Sequence, residues 1–184
     1  MDAIELMVSE HKNIKRMLKV IRAMSIRVLN NEAFDSEDFY KVIDFVRNYA
    51  DKHHHAKEEN ILFKKMGDEL GEKVAKGPVA GMFVEHDLGR LYMATLEAAL
   101  EKYKNGDRDS KVDIIANSIC YADLLHRHID KEDTAIYTFA RRALSKEAME
   151  DVERSCRDLE SMAEEKGIQD KYIKFAEELE SKYL

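Results

Sequence analysis

Two histidine–glutamate pairs in this sequence share a four-residue spacing, and their side chains are of the types that bind transition metals. One pair is His54 and Glu58, and the other is His128 and Glu132. On an α-helix, residues four positions apart lie on one face, so each pair can direct an imidazole and a carboxylate to one point. Imidazole with carboxylate suits iron, zinc or manganese. The spacing therefore indicates a metal site built on two helices.

Helical periodicity separates the inward-facing histidines from the rest of the seven in the chain. His11 shares a face with apolar Met7 and Ile14, and His86 shares one with Met93. Both are therefore expected to point into the core. The complete set of candidate metal ligands is His11, His54, Glu58, His86, His128 and Glu132.

The three other histidines are expected to lie away from this centre. His55 aligns with acidic residues such as Asp51, which indicates a solvated face, and His126 also lies beside acidic residues. His53 falls on an apolar face but off the line of Glu58. Outer or surface roles are predicted for all three.

A pair of metal ions explains the inward-facing set better than a single ion does. Six polar groups buried together would cost several kcal/mol without partners. Glutamates can bridge two ions, and six ligands leave positions open for an exogenous ligand. The sequence predicts two Fe ions, with Zn or Mn as substitutes. The alternative is a metal-free core of hydrogen-bonded histidines.

The apolar periodicity predicts helices throughout, and no alternating strand pattern competes with it. The first helix covers about residues 2–29. The second starts at Asp35 or Ser36 and runs to about Lys65, the third covers about 79–104, and the fourth follows the turn at 107–110 and reaches about 144. Long helices with short connections predict an all-α fold, an up-down-up-down four-helix bundle over residues 1–144.

Residues 145–184 carry two additional amphipathic C-terminal helices. Each has an apolar stripe that needs a partner surface. Packing on the bundle and formation of a homodimer interface are both open for this extension.

Composition excludes several classes of partner. The net charge is −7 and no basic stripe is present, so nucleic acid is not expected as a partner. No apolar stretch approaches the roughly 20 residues of a membrane span, and the acidic N-terminal segment does not read as a signal peptide. Cys120 and Cys156 lie far apart. A reduced, cytoplasmic location is therefore expected.

Four segments around the candidate ligands resemble the hemerythrin-like (HHE cation-binding) family. They read EHKNI at His11, HHAKEENILF at His54, VEHDLGR at His86 and HRHIDKEDTAIYTFA at His128. The resemblance covers about residues 1–144. It implies a non-haem di-iron centre in which Glu58 and Glu132 bridge the metals and the four histidines are terminal ligands.

The sequence departs from the oxygen-carrying hemerythrins at two positions. Their third helix bears a second histidine four residues after the first, where this chain has Arg90. Their second carboxylate is an aspartate one residue further from its histidine than Glu132 is from His128. Both departures place the chain nearer to the bacterial and archaeal hemerythrin-like proteins than to O₂ carriers.

Competing metal-site classes fit the sequence less well. The ferritin-like di-iron signature, a glutamate with a histidine three residues later, is absent, and so is the H-E-x-x-H motif of zinc proteases. Tyr121, two turns before His128, could hydrogen-bond a ligand, although a core tyrosine is the simpler interpretation.

Three functions remain open from the sequence. The first is non-catalytic binding of O₂ or NO for sensing, storage or scavenging. The second is a di-iron oxidoreductase that reduces NO or peroxide or takes part in iron–sulfur cluster repair. The third is a structural or regulatory protein that the metal only stabilises.

Overall fold

The computed structural model describes residues 2–184 of the chain. Within them, every long element is a helix and no strand is present, so the prediction of an all-α fold is confirmed. A short helical lead-in at 72–79 is broken at Gly77 and precedes the third helix. The helices are α1 (Ala3–Leu29), α2 (residues 36–70), α3 (Ala80–Lys104), α4 (residues 111–143), α5 (Lys146–Glu165) and α6 (Ile168–Tyr183).

Local signals in the sequence account for the helix starts. The Asp2 side chain accepts a hydrogen bond from the backbone N–H of Glu5, while the Glu5 side chain accepts one from that of Asp2, so α1 begins with a capping box. The side chain of Asp35 caps α2, as predicted, and that of Ser145 caps α5. α2 extends beyond the predicted end at Lys65 and stops where Gly71 takes a positive φ of 86°.

Two of the long helices contain π-helical stretches. They lie at Val46–His55 and Glu58–Leu62 in α2 and at Glu132–Ile136 in α4. Because π-helical hydrogen bonds join residues five apart, each residue turns less about the axis than in an α-helix. Neighbouring residues therefore come closer to sharing one face. All three stretches include or adjoin the predicted metal ligands.

The apolar core is divided into two clusters with a polar layer between them. The larger cluster includes Ile14, Phe39, Leu100 and Ile114, and the smaller includes Met7, Leu62, Met82 and Ile136. Along α1 and α3, residues of the smaller cluster precede those of the larger cluster. Along α2 and α4, residues of the larger cluster come first. On α1, α2 and α3 the predicted ligands lie between the two clusters, and on α4 they lie where the larger cluster ends.

The C-terminal helices cover one side of these four. α6 packs against α1 and α2 and adds Tyr172, Leu179 and Tyr183 to the larger cluster. α5 contacts α1 and α2 and adds Val152 and Cys156 to the smaller one. Both cysteines are free within the described residues; Cys156 is buried, whereas Cys120 is exposed. Among residues 2–184, none of the helices is long and apolar enough to cross a membrane.

A buried carboxylate attaches the end of α6 to the start of α2. Asp38, 2% exposed, accepts hydrogen bonds from the Tyr183 hydroxyl at 2.7 Å and from Lys182. Burial alone would raise the pKa of Asp38, but the bonds from Lys182 and Tyr183 lower it below its ordinary value. A lowered pKa contributes stability above the pH at which the unfolded aspartate titrates, and this contribution is lost as pH falls through the folded pKa.

Replacing Asp38 with Asn is therefore expected to destabilise the protein by about 1–3 kcal/mol at pH 7, because a charge-assisted pair is lost. The difference from the unmodified protein should shrink below about pH 4, where the wild-type carboxylate also becomes neutral. Urea unfolding at several pH values measures this difference. The control is Asp158→Asn, a change at an exposed aspartate of α5. A difference that is constant with pH would contradict the assignment.

Candidate metal centre

The structure brings all six sequence-predicted side chains together in the polar layer. Each is 2% exposed or less, and each comes from one of the four helices α1 to α4. The Nε2 atoms of His86 and His128 lie 3.0 Å apart, and the rings of His11 and His54 pack edge to face with centroids 4.6 Å apart. The helical periodicity read from the sequence thus matches the burial of these residues, and their role as ligands stays a prediction.

Glu132 lies between histidines of three helices. Its Oε1 is 3.0 Å from Nε2 of His128 and 3.9 Å from Nε2 of His86, while its Oε2 is 3.4 Å from Nε2 of His11. Each oxygen therefore faces a different part of the centre. This is the arrangement that a carboxylate needs in order to bridge two ions.

Glu58 lies between histidines of α2 and α3. Its Oε1 is 3.7 Å from Nε2 of His54, and its Oε2 is 3.5 Å from Nε2 of His86. The buried Tyr137 hydroxyl donates a hydrogen bond to Glu58 Oε1, and the Tyr137 ring stacks on His11. Tyr137 therefore contacts the centre directly, although the sequence analysis did not single it out.

The prediction that His55 faces solvent is wrong. His55 is 5% exposed, and its ring stacks on that of His86 with centroids 3.8 Å apart and an interplanar angle of 9°. The sequence prediction assumed the α-helical rotation of about 100° per residue. In the π-helix at Val46–His55 each residue turns less, and the difference accumulates along the stretch, so His55 comes to face the centre. His53 is also buried, whereas His126 is exposed, as predicted.

Two groups of side chains in the centre can each hold an ion. In both, one ligand atom from every residue lies within 4.8 Å of the others. Glu58 belongs to both groups, so the two positions adjoin. One group is His11, His54, Glu58 and Glu132, and the other is His55, Glu58, His86 and His128.

The centre contains buried polar atoms that nothing in residues 2–184 satisfies. Nε2 of His11, Oε2 of Glu58 and both carboxylate oxygens of Glu132 have no hydrogen-bond partner in this part of the chain. An unpaired buried polar atom costs about 1–3 kcal/mol, and a charged one costs more. Coordination to metal ions would remove this cost at all four atoms. The donor set therefore fits a pair of metals.

The outward-facing nitrogen of every buried ring in the two groups is held by a carboxylate. Because an ionised carboxylate only accepts, Nδ1 carries the hydrogen and Nε2 presents its lone pair to the centre. The nitrogen–oxygen distances are 2.7 Å for His11 to Asp133, 2.7 Å for His54 to Glu10, 3.3 Å for His55 to Asp51, 2.6 Å for His86 to Glu59 and 2.8 Å for His128 to Glu85.

Four of these carboxylates close a ring around the bundle. The carboxylate on α1 binds a histidine of α2, and the carboxylate on α2 binds the histidine of α3. In the same way, the carboxylate on α3 binds a histidine of α4, and the carboxylate on α4 binds the histidine of α1. Each is the sequence neighbour of a predicted ligand, and the pairs are Glu10–His11, Glu58–Glu59, Glu85–His86 and Glu132–Asp133. These four acids were not among the sequence predictions, because an acid beside four of the six predicted ligands does not by itself show which histidine it contacts.

The pKa values of the central groups show what the centre does without a cation. Burial and the charge of Glu132 raise the pKa of Glu58 well above its ordinary value. Burial lowers the pKa of the imidazoles, but the hydrogen bond to Asp133 and the charge of Glu132 raise that of His11, and the hydrogen bond to Glu59 and the charge of Glu132 raise that of His86. The raised pKa values favour protons at Glu58, His11 and His86, so metal ions are expected to compete with protons for these groups.

A second buried polar cluster adjoins the centre. Lys57, 0% exposed, forms ion pairs with Glu10 of α1 and Glu160 of α5, and its Nζ lies 3.1 Å from Nε2 of His53. Glu10, His53 and Glu160 could themselves hold a cation, but the Lys57 ammonium already supplies the positive charge among them. The cluster is therefore best explained as a support for Glu10, which holds His54.

Comparison with known protein families agrees with this geometry. The sequence profile of the hemerythrin HHE cation-binding domain matches residues 2–140. The chain belongs to the hemerythrin HHE cation-binding family. No curated protein and no solved structure matches the chain. The family assignment made from the four sequence segments is thus confirmed.

The Arg90 departure from the oxygen-carrying hemerythrins has a structural counterpart in this HHE domain. Arg90 does not enter the centre; its guanidinium forms ion pairs with Asp51, Asp87 and Glu59 at 2.6–2.8 Å. A third imidazole beside His86 and His128 comes instead from His55 on α2. The metal position at His11 and His54 of the HHE domain would then have two imidazoles, and the position that includes His55 would have three.

Replacing Glu85 with Ala is expected to weaken metal binding by the HHE domain about 10–100-fold, because His128 loses the acceptor that fixes its orientation. Competition with a chelator of known affinity measures the effect. The matched control is Asp87→Ala, two residues away on the exposed face of α3. Equal affinities for the two variants would contradict a positioning role for Glu85.

Proposed function

We propose that this protein is a cytoplasmic, non-haem di-iron protein that binds O₂ or NO for sensing, storage or scavenging. The observation that carries the proposal is the pair of adjoining ligand groups that share Glu58. The proposed metal ligands are His11, His54, Glu58, His86, His128 and Glu132, with His55 as a seventh. Glu58 and Glu132 would be the bridging residues.

The donor set supports iron over softer metals. Five imidazoles and two carboxylates suit Fe, with Zn or Mn as substitutes, and neither group contains a thiolate. If both carboxylates bridge, the ion at His11 and His54 has two imidazole ligands, whereas the ion in the other group has three. The ion at His11 and His54 therefore has fewer ligands. When bound, iron would supply the redox-active position for a diatomic ligand. The chain would contribute imidazoles in a fixed orientation and a buried surrounding that excludes water.

The proposed architecture is an up-down-up-down bundle of α1 to α4 with two additional C-terminal helices. The alternating order of the two apolar clusters along the four helices supports it, because antiparallel neighbours meet the same clusters in opposite order. The division at residues 144 and 145, and any homodimer formed through the extension, are part of the same proposal.

A di-iron oxidoreductase that reduces NO or peroxide is the second candidate. It is favoured by Tyr137, whose hydroxyl donates to Glu58 and whose buried ring stacks on His11. A tyrosine in that position could supply a hydrogen atom to a bound ligand. Sustained consumption of NO or peroxide with an electron donor would support this candidate, whereas a stable adduct without turnover would support the first.

The first experiment is metal analysis of protein purified without added metal, together with its optical spectrum before and after exposure to air and azide. About two irons per chain and new ligand-to-metal charge-transfer bands on adding azide are the expected results. Zinc alone with a featureless spectrum, retained after reconstitution with ferrous iron under anaerobic conditions, would contradict the proposal. Oxygen and NO titrations of the iron-loaded protein then distinguish binding from turnover.

A further inference from the structure

A pocket beside the metal centre opens between α2, α3 and α4. Its volume is about 260 Å³, and the rings of His55 and His86 form part of its wall. A dry apolar cavity of about 150 Å³ is enough to hold benzene, and a diatomic molecule needs far less space. The pocket is therefore large enough for an organic molecule of at least one ring.

The pocket surface selects against a charged occupant. Most of the exposed lining is apolar, with Val46, Gly89 and Met93 among its residues. Three basic side chains lie at its edge. Arg90 pairs with acidic partners on α2 and α3, and Arg47 pairs with a glutamate of α3, so neither arginine is left to neutralise an anion. Lys52 donates a hydrogen bond to Asn48, and its side chain is exposed to solvent. An uncharged, mainly apolar molecule fits these walls.

Tyr121 provides the pocket with a polar group that is not in use. Its ring lines the pocket, and its hydroxyl is buried without a hydrogen-bond partner in the described chain. Burial raises the pKa of Tyr121, and the charge of Asp51, another lining residue, raises it further. The hydroxyl therefore stays protonated and can donate one hydrogen bond. Gly89 leaves space against it, since a Cβ there would lie 3.5 Å from the Tyr121 ring.

The stacked pair of His55 and His86 links this pocket to the metal positions. The two rings lie 3.8 Å apart by centroid and belong to the same candidate ligand group. An occupant of the pocket would therefore rest against ligands of one metal. Aromatic rings pack favourably on such a surface.

We propose that this pocket binds a small uncharged molecule, the size of one aromatic ring, with one oxygen that accepts a hydrogen bond from Tyr121. The proposal extends the proposed function, since it names a class of organic ligand that would bind beside the di-metal centre. It requires only the pocket, so it can fail while the metal assignment stands.

The test uses ¹⁹F NMR titration of the metal-loaded protein with 4-fluorophenol and with fluorobenzene. Fluorobenzene has no oxygen and cannot ligate a metal, so its binding reports on the pocket alone. Both probes are expected to bind saturably, with the dissociation constant for 4-fluorophenol on the order of 1 mM or tighter. In Tyr121→Phe, 4-fluorophenol should bind about 3–10-fold more weakly and fluorobenzene nearly unchanged, because only one hydrogen bond is lost.

A second variant tests the location. Gly89→Leu places a side chain against the pocket wall and is expected to weaken both probes at least about tenfold, which corresponds to roughly 1.4 kcal/mol. The control is Gly81→Leu on the same helix, where an added Cβ meets nothing within 4 Å in the described chain. Metal content and the azide spectrum are measured on every sample.

Two outcomes would overturn the proposal. If neither probe binds at 10 mM, on the order of ten times the expected constant, while azide still changes the spectrum, the pocket is at most an entry path for small ligands. If 4-fluorophenol binds Gly89→Leu as tightly as the unmodified protein, it binds elsewhere. Loss of metal from the unmodified protein would instead count against the di-iron proposal, and fluorobenzene binding would still report on the pocket.

Discussion

Replacing Glu132 with Ala is expected to remove both metal ions from the protein, from about two per chain to fewer than one. The two oxygens of Glu132 face histidines on different sides of the centre, with His128 at 3.0 Å and His11 at 3.4 Å. Loss of this carboxylate would therefore affect both positions at once. Metal analysis after purification and after reconstitution measures the result.

The thermal stability of the same variant separates a metal ligand from a core carboxylate. Metal at one hundred times its dissociation constant stabilises a protein by about 2.7 kcal/mol, or roughly 5–11 °C for a chain of this size. The unmodified protein should gain this stability on metal addition, whereas Glu132→Ala should not. The control is His126→Ala, an exposed histidine on the same helix. Two metals retained in Glu132→Ala would contradict the bridging assignment.

The periodicity of the sequence was sufficient to identify the helices and the inward position of six polar residues. An α-helix repeats every 3.6 residues, so an apolar stripe determines which histidine faces the core. His128 is buried and His126 exposed, in agreement with that rule. The four-residue spacing of His54 and Glu58 was a local signal, because both belong to one helix.

The same rule failed for His55 because it assumes a regular α-helix. The π-helical stretch Val46–His55 alters the rotation per residue, and the composition of that segment does not predict a π-helix. Three adjacent histidines cannot all face one way on a regular helix. They are nevertheless all buried here, since His53 faces the Lys57 cluster while His54 and His55 face the metal positions.

The acids that hold the histidines could not be recognised from single-helix patterns. Glu59 and Glu85 lie next to ligands in sequence but contact histidines of a different helix, so their role depends on how helices pack. Read alone, each resembles an ordinary solvated acid. The ring of contacts from α1 through α4 is a tertiary feature, and the periodicity of one helix contains no information about it.

Replacing Lys57 with Met is expected to destabilise the protein by about 3–5 kcal/mol, because Glu10 and Glu160 would lose their buried counter-charge. Lys57 is 0% exposed and pairs with both carboxylates. For a chain of this size the change corresponds to a melting temperature roughly 6–20 °C lower. Calorimetry of metal-free protein isolates this effect from any change in metal affinity. The control is Lys64→Met, at an exposed lysine of the same helix.

A partial rescue identifies the cause of the destabilisation. Adding Glu160→Gln to Lys57→Met removes one of the two uncompensated charges, so the double variant should be more stable than Lys57→Met alone. Overpacking by methionine would give no such recovery, and a melting temperature unchanged in Lys57→Met would contradict the buried ion pairs altogether.

The Lys57 cluster also connects the C-terminal helices to the metal centre. Glu160 lies on α5, and the chain of contacts runs from it through Lys57 and Glu10 to Nδ1 of His54. Without the Lys57 ammonium, Glu10 would orient His54 less firmly. Loss of a contact that orients a metal ligand weakens metal binding about 10–100-fold. Lys57→Met should therefore lower metal affinity as well as stability, although Lys57 contacts neither metal position. The extension beyond residue 144 would then help to form the site rather than only cover the bundle.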